Sequence, residues 1–196
     1  MVFMIQESNI QKINKEIQSC QKCILYKTKI NYVLGSGSQY SKIMLIGEAP
    51  GYNEDLKGIP FIGKAGKILD NLLISINIDR KDVYITNILK CRPPKNRNPL
   101  ENEINICTKY LDEEIRLIKP NIICPLGNFA SKFILEKYDF IFEKISSIHG
   151  KIFTKKSKCD ITNIIPQYHP AVAVYNQNMI NTLIKDFKII KQVLDK

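Results

Sequence analysis

Four short runs of unbroken apolar or β-branched character constrain this chain more than any other feature: Lys42–Ile46, Val83–Thr86, Asn121–Leu126 and Thr162–Ile165. A strand with one wet face alternates apolar and polar residues. Runs without alternation belong to strands buried on both faces, as in parallel sheets. The segments between them carry apolar residues at helical spacing. Ala65–Ile76 repeats Ile68, Leu69, Leu72, Leu73 and Ile76, and Leu100–Ile118 repeats Ile104, Cys107, Leu111, Ile115 and Ile118. Asn128–Tyr138 and Met179–Leu194 follow the same period. Strands alternating with helices predict an α/β fold, a three-layer α/β/α sandwich on a central, mainly parallel four-stranded sheet. No linker or repeat interrupts the pattern, so residues 1–196 are expected to form a single domain with an N-terminal metal-binding segment.

In such folds ligands sit at the carboxyl ends of the strands, and the unusual residues of this chain fall there. The first run leads into Gly47-Glu48-Ala49-Pro50-Gly51, a turn that brings backbone amides close to a ligand. Gly58-Ile59-Pro60-Phe61-Ile62-Gly63 follows, with an aromatic at the mouth of a helix, where it fits either a stacking platform or the core. The second run ends at Asn87, whose amide offers one acceptor and one donor set to an imide edge; a turn cap is the plainer reading. The fourth leads to Gln167-Tyr168-His169-Pro170, where His169 is one of only two histidines and equally fits a structural role. Gly35-Ser36-Gly37-Ser38 and Gly63-Lys64-Ala65-Gly66-Lys67 lack the spacing of a phosphate loop or a dinucleotide fingerprint.

Cysteines add a second pattern. Cys20 and Cys23 form a C-x2-C pair, and Cys91 and Cys107 lie far downstream. The start of the chain has no basic segment followed by an apolar stretch, and no apolar run reaches the roughly 18 residues of a membrane span. A cytoplasmic, membrane-free protein is expected, in which such a quartet binds metal more readily than it forms disulfides. Spacing alone allows tetrahedral zinc or an iron–sulfur cluster. Cys124 sits in an apolar run and reads as core; Cys159 has no evident partner. The 29 basic against 19 acidic side chains give a charge of +10, which favours a polyanion such as nucleic acid. Lys90, Arg92, Lys95 and Arg97, on one loop, are the candidate phosphate contacts, whereas Lys151–Lys158 reads as a solvated hairpin.

Together these segments resemble one family. GEAPGYNEDLKGIPFIGKAGKILDNLL, VYITNILKCRPPKNRNP and the late YHPA, with the leading CxxCxLYKTK and VLGSG, are similar to the family 4 uracil-DNA glycosylases over roughly Cys20 to Phe187. The resemblance implies a monofunctional base-flipping enzyme that hydrolyses the N-glycosidic bond of uracil in single- or double-stranded DNA, acting as a monomer. It implies a [4Fe–4S] cluster on Cys20, Cys23, Cys91 and Cys107. Glu48 and Ala49 would line the uracil pocket, Glu54 would stand near the C5 edge and Phe61 would stack on the base. Asn87 would bond the N3–O4 edge, and His169, neutral, would face O2. Arg92, Lys95 and Arg97 would hold DNA. Family 1 relatives carry an Asp where this chain has Ala49, so Glu48 is the expected water-orienting group. The Cys91–Pro99 loop has no His of the kind that traps sugar covalently in another branch, so turnover is expected. Pro170–Val174 is the expected wedge into the duplex. A non-catalytic, metal-stabilised nucleic-acid-binding protein would need the basic surface but not Phe61, Asn87 and His169. A relative acting on another deaminated base, such as hypoxanthine, is the further alternative.

Overall fold

Strand β2 (Ile43–Gly47) is buried at every position, as are β3 (Tyr84–Asn87) and β4 (Ile122–Pro125). That is why their sequences do not alternate. Alternate β2 residues nevertheless serve different layers. Met44 and Ile46 pack into one core with Leu111, Ile115 and Ile134, while Ile43 and Leu45 pack into another with Leu69, Leu72 and Phe187. The computed structural model describes residues 2–157 and 161–195, with side chains from residue 9 onward. Cys159, and Lys158 at the end of the basic run, lie outside the described residues.

The sheet has six strands in the order β1-β3-β2-β4-β6-β5. The four expected strands, with β6 at Ile161–Ile164, are its parallel centre. Two short edge strands, β1 (Ser36–Gly37) and β5 (Phe153–Lys156), pair antiparallel at either side. The sequence pattern did not include them, because a two-residue strand has no period and the β5 stretch reads as charged. Within the run expected to be a solvated hairpin by itself, Phe153–Lys156 instead pairs antiparallel with β6, and Lys155 is bound to Asp139 at 2.7 Å.

One face of the sheet is covered by α1 (Val2–Gln18), α4 (Glu101–Ile118) and α5 (Asn128–Lys137). The other is covered by α3 (Lys64–Ile74) and α8 (Met179–Leu194). Short helices α2 (Tyr52–Lys57), α6 (Ile145–Ile148) and α7 (Val172–Tyr175) fill the loops. α4 starts where the Glu103 carboxylate accepts the Leu100 N–H at 2.9 Å, which satisfies a free amide of the first turn. It stops at Lys119, in the left-handed region (φ 49°), just before Pro120. Among the described residues no helix is long and apolar enough to cross a membrane.

Candidate active site

Beyond their carboxyl ends β2 and β3 stay paired. Ile88 N–H donates to the Gly47 carbonyl at 3.0 Å and Leu89 N–H to the Glu48 carbonyl at 3.1 Å. The turn after β2 and the end of β3 therefore form one floor. Over it opens a pocket of about 370 Å³, lined by Glu48, Ala49, Glu54, Phe61, Asn87, Arg97 and His169 among others. This volume lies within the roughly 300–1,000 Å³ of small-ligand sites. Every residue assigned to base recognition from the sequence lines it, although these residues come from four separate stretches of chain.

Two close approaches fix the floor. A Cβ on Gly47 would collide with Asn87 Oδ1 and come within 2.7 Å of the Phe61 ring. A Cβ on Gly66 would collide with the Phe61 carbonyl. Both glycines are therefore required by contact. Phe61 itself holds a left-handed backbone (φ 52°), unusual for a bulky residue. The Glu54 carboxylate accepts the N–H groups of Ile62 and Gly63 at 2.9 and 2.8 Å and so braces that turn. Glu54 reaches the pocket, and its carboxylate is already engaged in holding Phe61 in place.

The Phe61 ring stacks against His169, with centroids 5.6 Å apart and planes at 30°. Ala171 N–H donates to His169 Nδ1 at 3.2 Å. With Nδ1 accepting, the ring proton of a neutral imidazole resides on Nε2. Burial lowers the His169 pKa to about 4, against a smaller opposing pull from Glu54. Neutral His169 is thus an Nε2–H donor. Burial raises the Glu48 carboxyl above its ordinary range. Tyr168, one residue before His169, packs its ring on His149 at 4.4 Å, and His149 is bound to Asp186 at 2.6 Å. This anchors the exit from β6 to α8.

The cationic loop divides. Arg97 makes a two-pronged contact with Glu103, at 2.9 and 2.6 Å, on the pocket rim. Arg92 lies over the Tyr52 ring at 5.1 Å and donates to Asn96. Lys95 is exposed. Lys90 is not a surface contact: it is 1% exposed, and its ammonium binds Glu114 at 2.8 Å. A lysine beside a cysteine in a basic loop reads as surface, and its partner lies 24 residues downstream on α4.

Cys20, Cys23, Cys91 and Cys107 line a second, largely apolar pocket with Ile17, Leu25, Leu89 and Tyr110. Among the described residues no carboxylate or imidazole joins them there, so the donor set is wholly thiol. Burial, reinforced by the neighbouring thiols, pushes Cys91 far up; burial takes Cys107 to about 11. Thiols so placed lose their protons when a metal compensates the charge. Among the described residues no three His, Cys, Asp or Glu side chains come close enough to hold a single metal ion. Asp55, which the sequence did not single out, is buried and accepts the N–H groups of Ile30 and Asn31 at 2.9 and 3.2 Å. It ties the segment after Cys23 to α2. Cys124 is fully buried in the core, as expected.

Comparison with known proteins bears on both pockets. Residues 34–194 match the Uracil DNA glycosylase superfamily. A type-4 uracil-DNA glycosylase of Archaeoglobus fulgidus is 45% identical over 188 residues, which is 96% of this chain and 94% of the relative. The type-4 uracil-DNA glycosylase of Sulfurisphaera tokodaii is 44% identical over 94% of this chain and 84% of its own. That of Thermotoga maritima is 31% identical over 97% of each.

Proposed function

Because the chain belongs to the uracil DNA glycosylase superfamily, and within it to the type-4 uracil-DNA glycosylases, we propose that it removes uracil from DNA with Asn87, His169 and Glu48 in the leading roles. It is a DNA-repair glycosylase: it hydrolyses the N-glycosidic bond, releases free uracil and leaves an abasic site. The observation that carries the assignment of roles is the convergence of Glu48, Phe61, Asn87 and His169 on one pocket at the carboxyl ends of the sheet.

The base must leave the stack to reach that pocket, at a cost of a few kcal/mol. Stacking on Phe61 returns on the order of 1–3 kcal/mol whatever the base. Identity comes from Asn87, whose Oδ1 accepts N3–H and whose amide donates to O4. Cytosine presents the opposite polarity at both positions. A site left with unpaired buried polar groups rejects an analogue by about 10⁴-fold. Thymine is excluded by volume against the Gly47–Gly51 turn.

As the C1′–N1 bond breaks, its electron pair leaves with uracil and negative charge gathers on O2. The Nε2–H of neutral His169 donates to that oxygen, a preorganised hydrogen bond aimed at the developing charge. The oxygen of a water bonds to C1′. Glu48 orients that water as a carboxylate, and the water's proton passes to Glu48 or to solvent. Val172 and the 89%-exposed Tyr175, beside His169, offer apolar surface to the gap left in the duplex.

The four-thiol pocket suits a [4Fe–4S] cluster held by Cys20, Cys23, Cys91 and Cys107. Such a cluster supplies a cross-link between the N-terminal segment, the loop after β3 and α4. Incubation with a uracil-containing oligonucleotide, followed by alkali, tests the function: strand cleavage at the uracil is expected, and an intact strand would refute it.

A further inference from the structure

We propose that Lys90 is a positioning residue that holds the uracil-reading Asn87 and links it to the cysteine pocket; the inference rests on the uracil-reading role given to Asn87. Lys90 is 1% exposed and lines the cysteine pocket, and its ammonium reaches toward the other pocket from below. Its Nζ donates to the Asn87 carbonyl at 3.0 Å, to Thr86 Oγ1 at 2.6 Å and to Glu114 Oε2 at 2.8 Å, which engages all three protons. The Glu114 carboxylate also accepts from Thr86 Oγ1 at 3.0 Å and Tyr84 Oη at 3.2 Å. The main chain of Lys90 faces the other way. Its N–H donates to Cys107 Sγ at 3.3 Å, and its carbonyl accepts the Val33 N–H at 2.8 Å.

One buried residue therefore has its backbone on a cysteine and its ammonium under the residue that reads the base. Glu114 and Cys107 lie on the same helix, seven residues and two turns apart. Stability alone does not call for this arrangement, since a buried ion pair replaced by neutral groups of similar shape is often no less stable. Its geometric consequence is specific. The Asn87–Ile88 peptide is held from both sides: its N–H donates to the Gly47 carbonyl at 3.0 Å, and its carbonyl, which points away from β2, accepts the Lys90 ammonium at 3.0 Å. The ammonium holds the side of that peptide that the β2–β3 pairing leaves free, and with it the direction of the Asn87 amide into the pocket.

The test is K90M/E114Q. It removes both charges; the amide oxygen introduced at position 114 accepts from Tyr84 and the amide N–H there donates to Thr86 Oγ1 in place of the ammonium, so that the Asn87 carbonyl is left without its donor. T86V is the control, since it removes one Lys90 partner and leaves the bond to Asn87. Single-turnover excision, inhibition by free uracil, affinity for undamaged DNA and the visible absorbance of the cluster are measured for both and for wild type. K90M/E114Q is expected to lose about 10- to 100-fold in excision rate, the order of effect of a misplaced recognition group. Inhibition by free uracil weakens in parallel, with DNA affinity and absorbance retained, and T86V stays close to wild type in all four. Full activity and full uracil inhibition in K90M/E114Q would overturn the proposal. Loss of absorbance and DNA affinity in step with the rate would overturn it equally, by marking a purely structural role. A wild type that excises no uracil would overturn the functional reading as well, so the two failures are distinguishable.

Discussion

The Gly47 backbone and the Asn87 side chain are in direct contact, so closely that no side chain fits at position 47. The group proposed to distinguish uracil from cytosine thus rests on the bare end of β2. Gly47→Ala is expected to push Asn87 and Phe61 out of register and to lower the excision rate by about 10²-fold, the scale set by a misplacement of roughly 1 Å. The affinity for undamaged DNA should hold. Stopped-assay single turnovers beside a DNA-binding titration check both, and equal losses in the two would argue against the floor role.

The pH profile follows from two opposite displacements. Burial raises the Glu48 carboxyl and lowers His169 to about 4. With Glu48 acting as a carboxylate, as proposed, the rate should climb as pH rises through its elevated pKa and then stay level past about 6.5, where an ordinary His titrates. Glu48→Gln should remove the acidic limb along with most of the activity. An inflection at the ordinary His value that disappears in His169→Asn would show that His169 cycles its charge.

Salt dependence separates the loop cations. Each phosphate neutralised contributes about 0.9 to the log–log slope of binding against salt. Lys95 is exposed and Arg92 is held only by a tyrosine face and an asparagine, so Lys95→Ala and Arg92→Ala should each flatten the slope by about that amount. Lys90 is enclosed with Glu114 and should leave the slope unchanged whatever replaces it. Arg97→Ala releases the buried Glu103 and should lower the melting temperature more than it flattens the slope.

Loss of the proposed cluster should act on architecture first. Cys107→Ser removes a thiol that also accepts the Lys90 N–H. The expected result is loss of visible absorbance, a lower melting temperature and weaker DNA binding. Asp55 still ties Ile30 and Asn31 to α2, so the β2 turn keeps its support. Excision at saturating DNA should fall less than DNA affinity does, and the reverse order would give the cluster a part in the chemistry.

The sequence disclosed what is local and missed what is paired at long range. Three strands buried at every position, β2, β3 and β4, showed as unbroken apolar runs, the partly exposed β6 showed as a fourth, and the special residues stood after β2, β3 and β6. Edge strands β1 and β5 carried no such signal, being short or charged. Lys90 looked like surface because nothing near it in the chain announces Glu114. Glu54 lines the pocket as expected, but its brace on the Phe61 turn was hidden, because a carboxylate that binds two amides eight and nine residues away leaves no local mark. Asp55 was hidden for the same reason.

The central claim is that Asn87 reads uracil. The most direct measurement is single-turnover excision from matched oligonucleotides carrying U, C or T at one position, by the cluster-loaded wild type and by Asn87→Leu. The wild type should open only the U strand, and Asn87→Leu should lose that activity by about 10³- to 10⁴-fold while retaining cluster absorbance. Excision of uracil by Asn87→Leu at the wild-type rate would contradict the account.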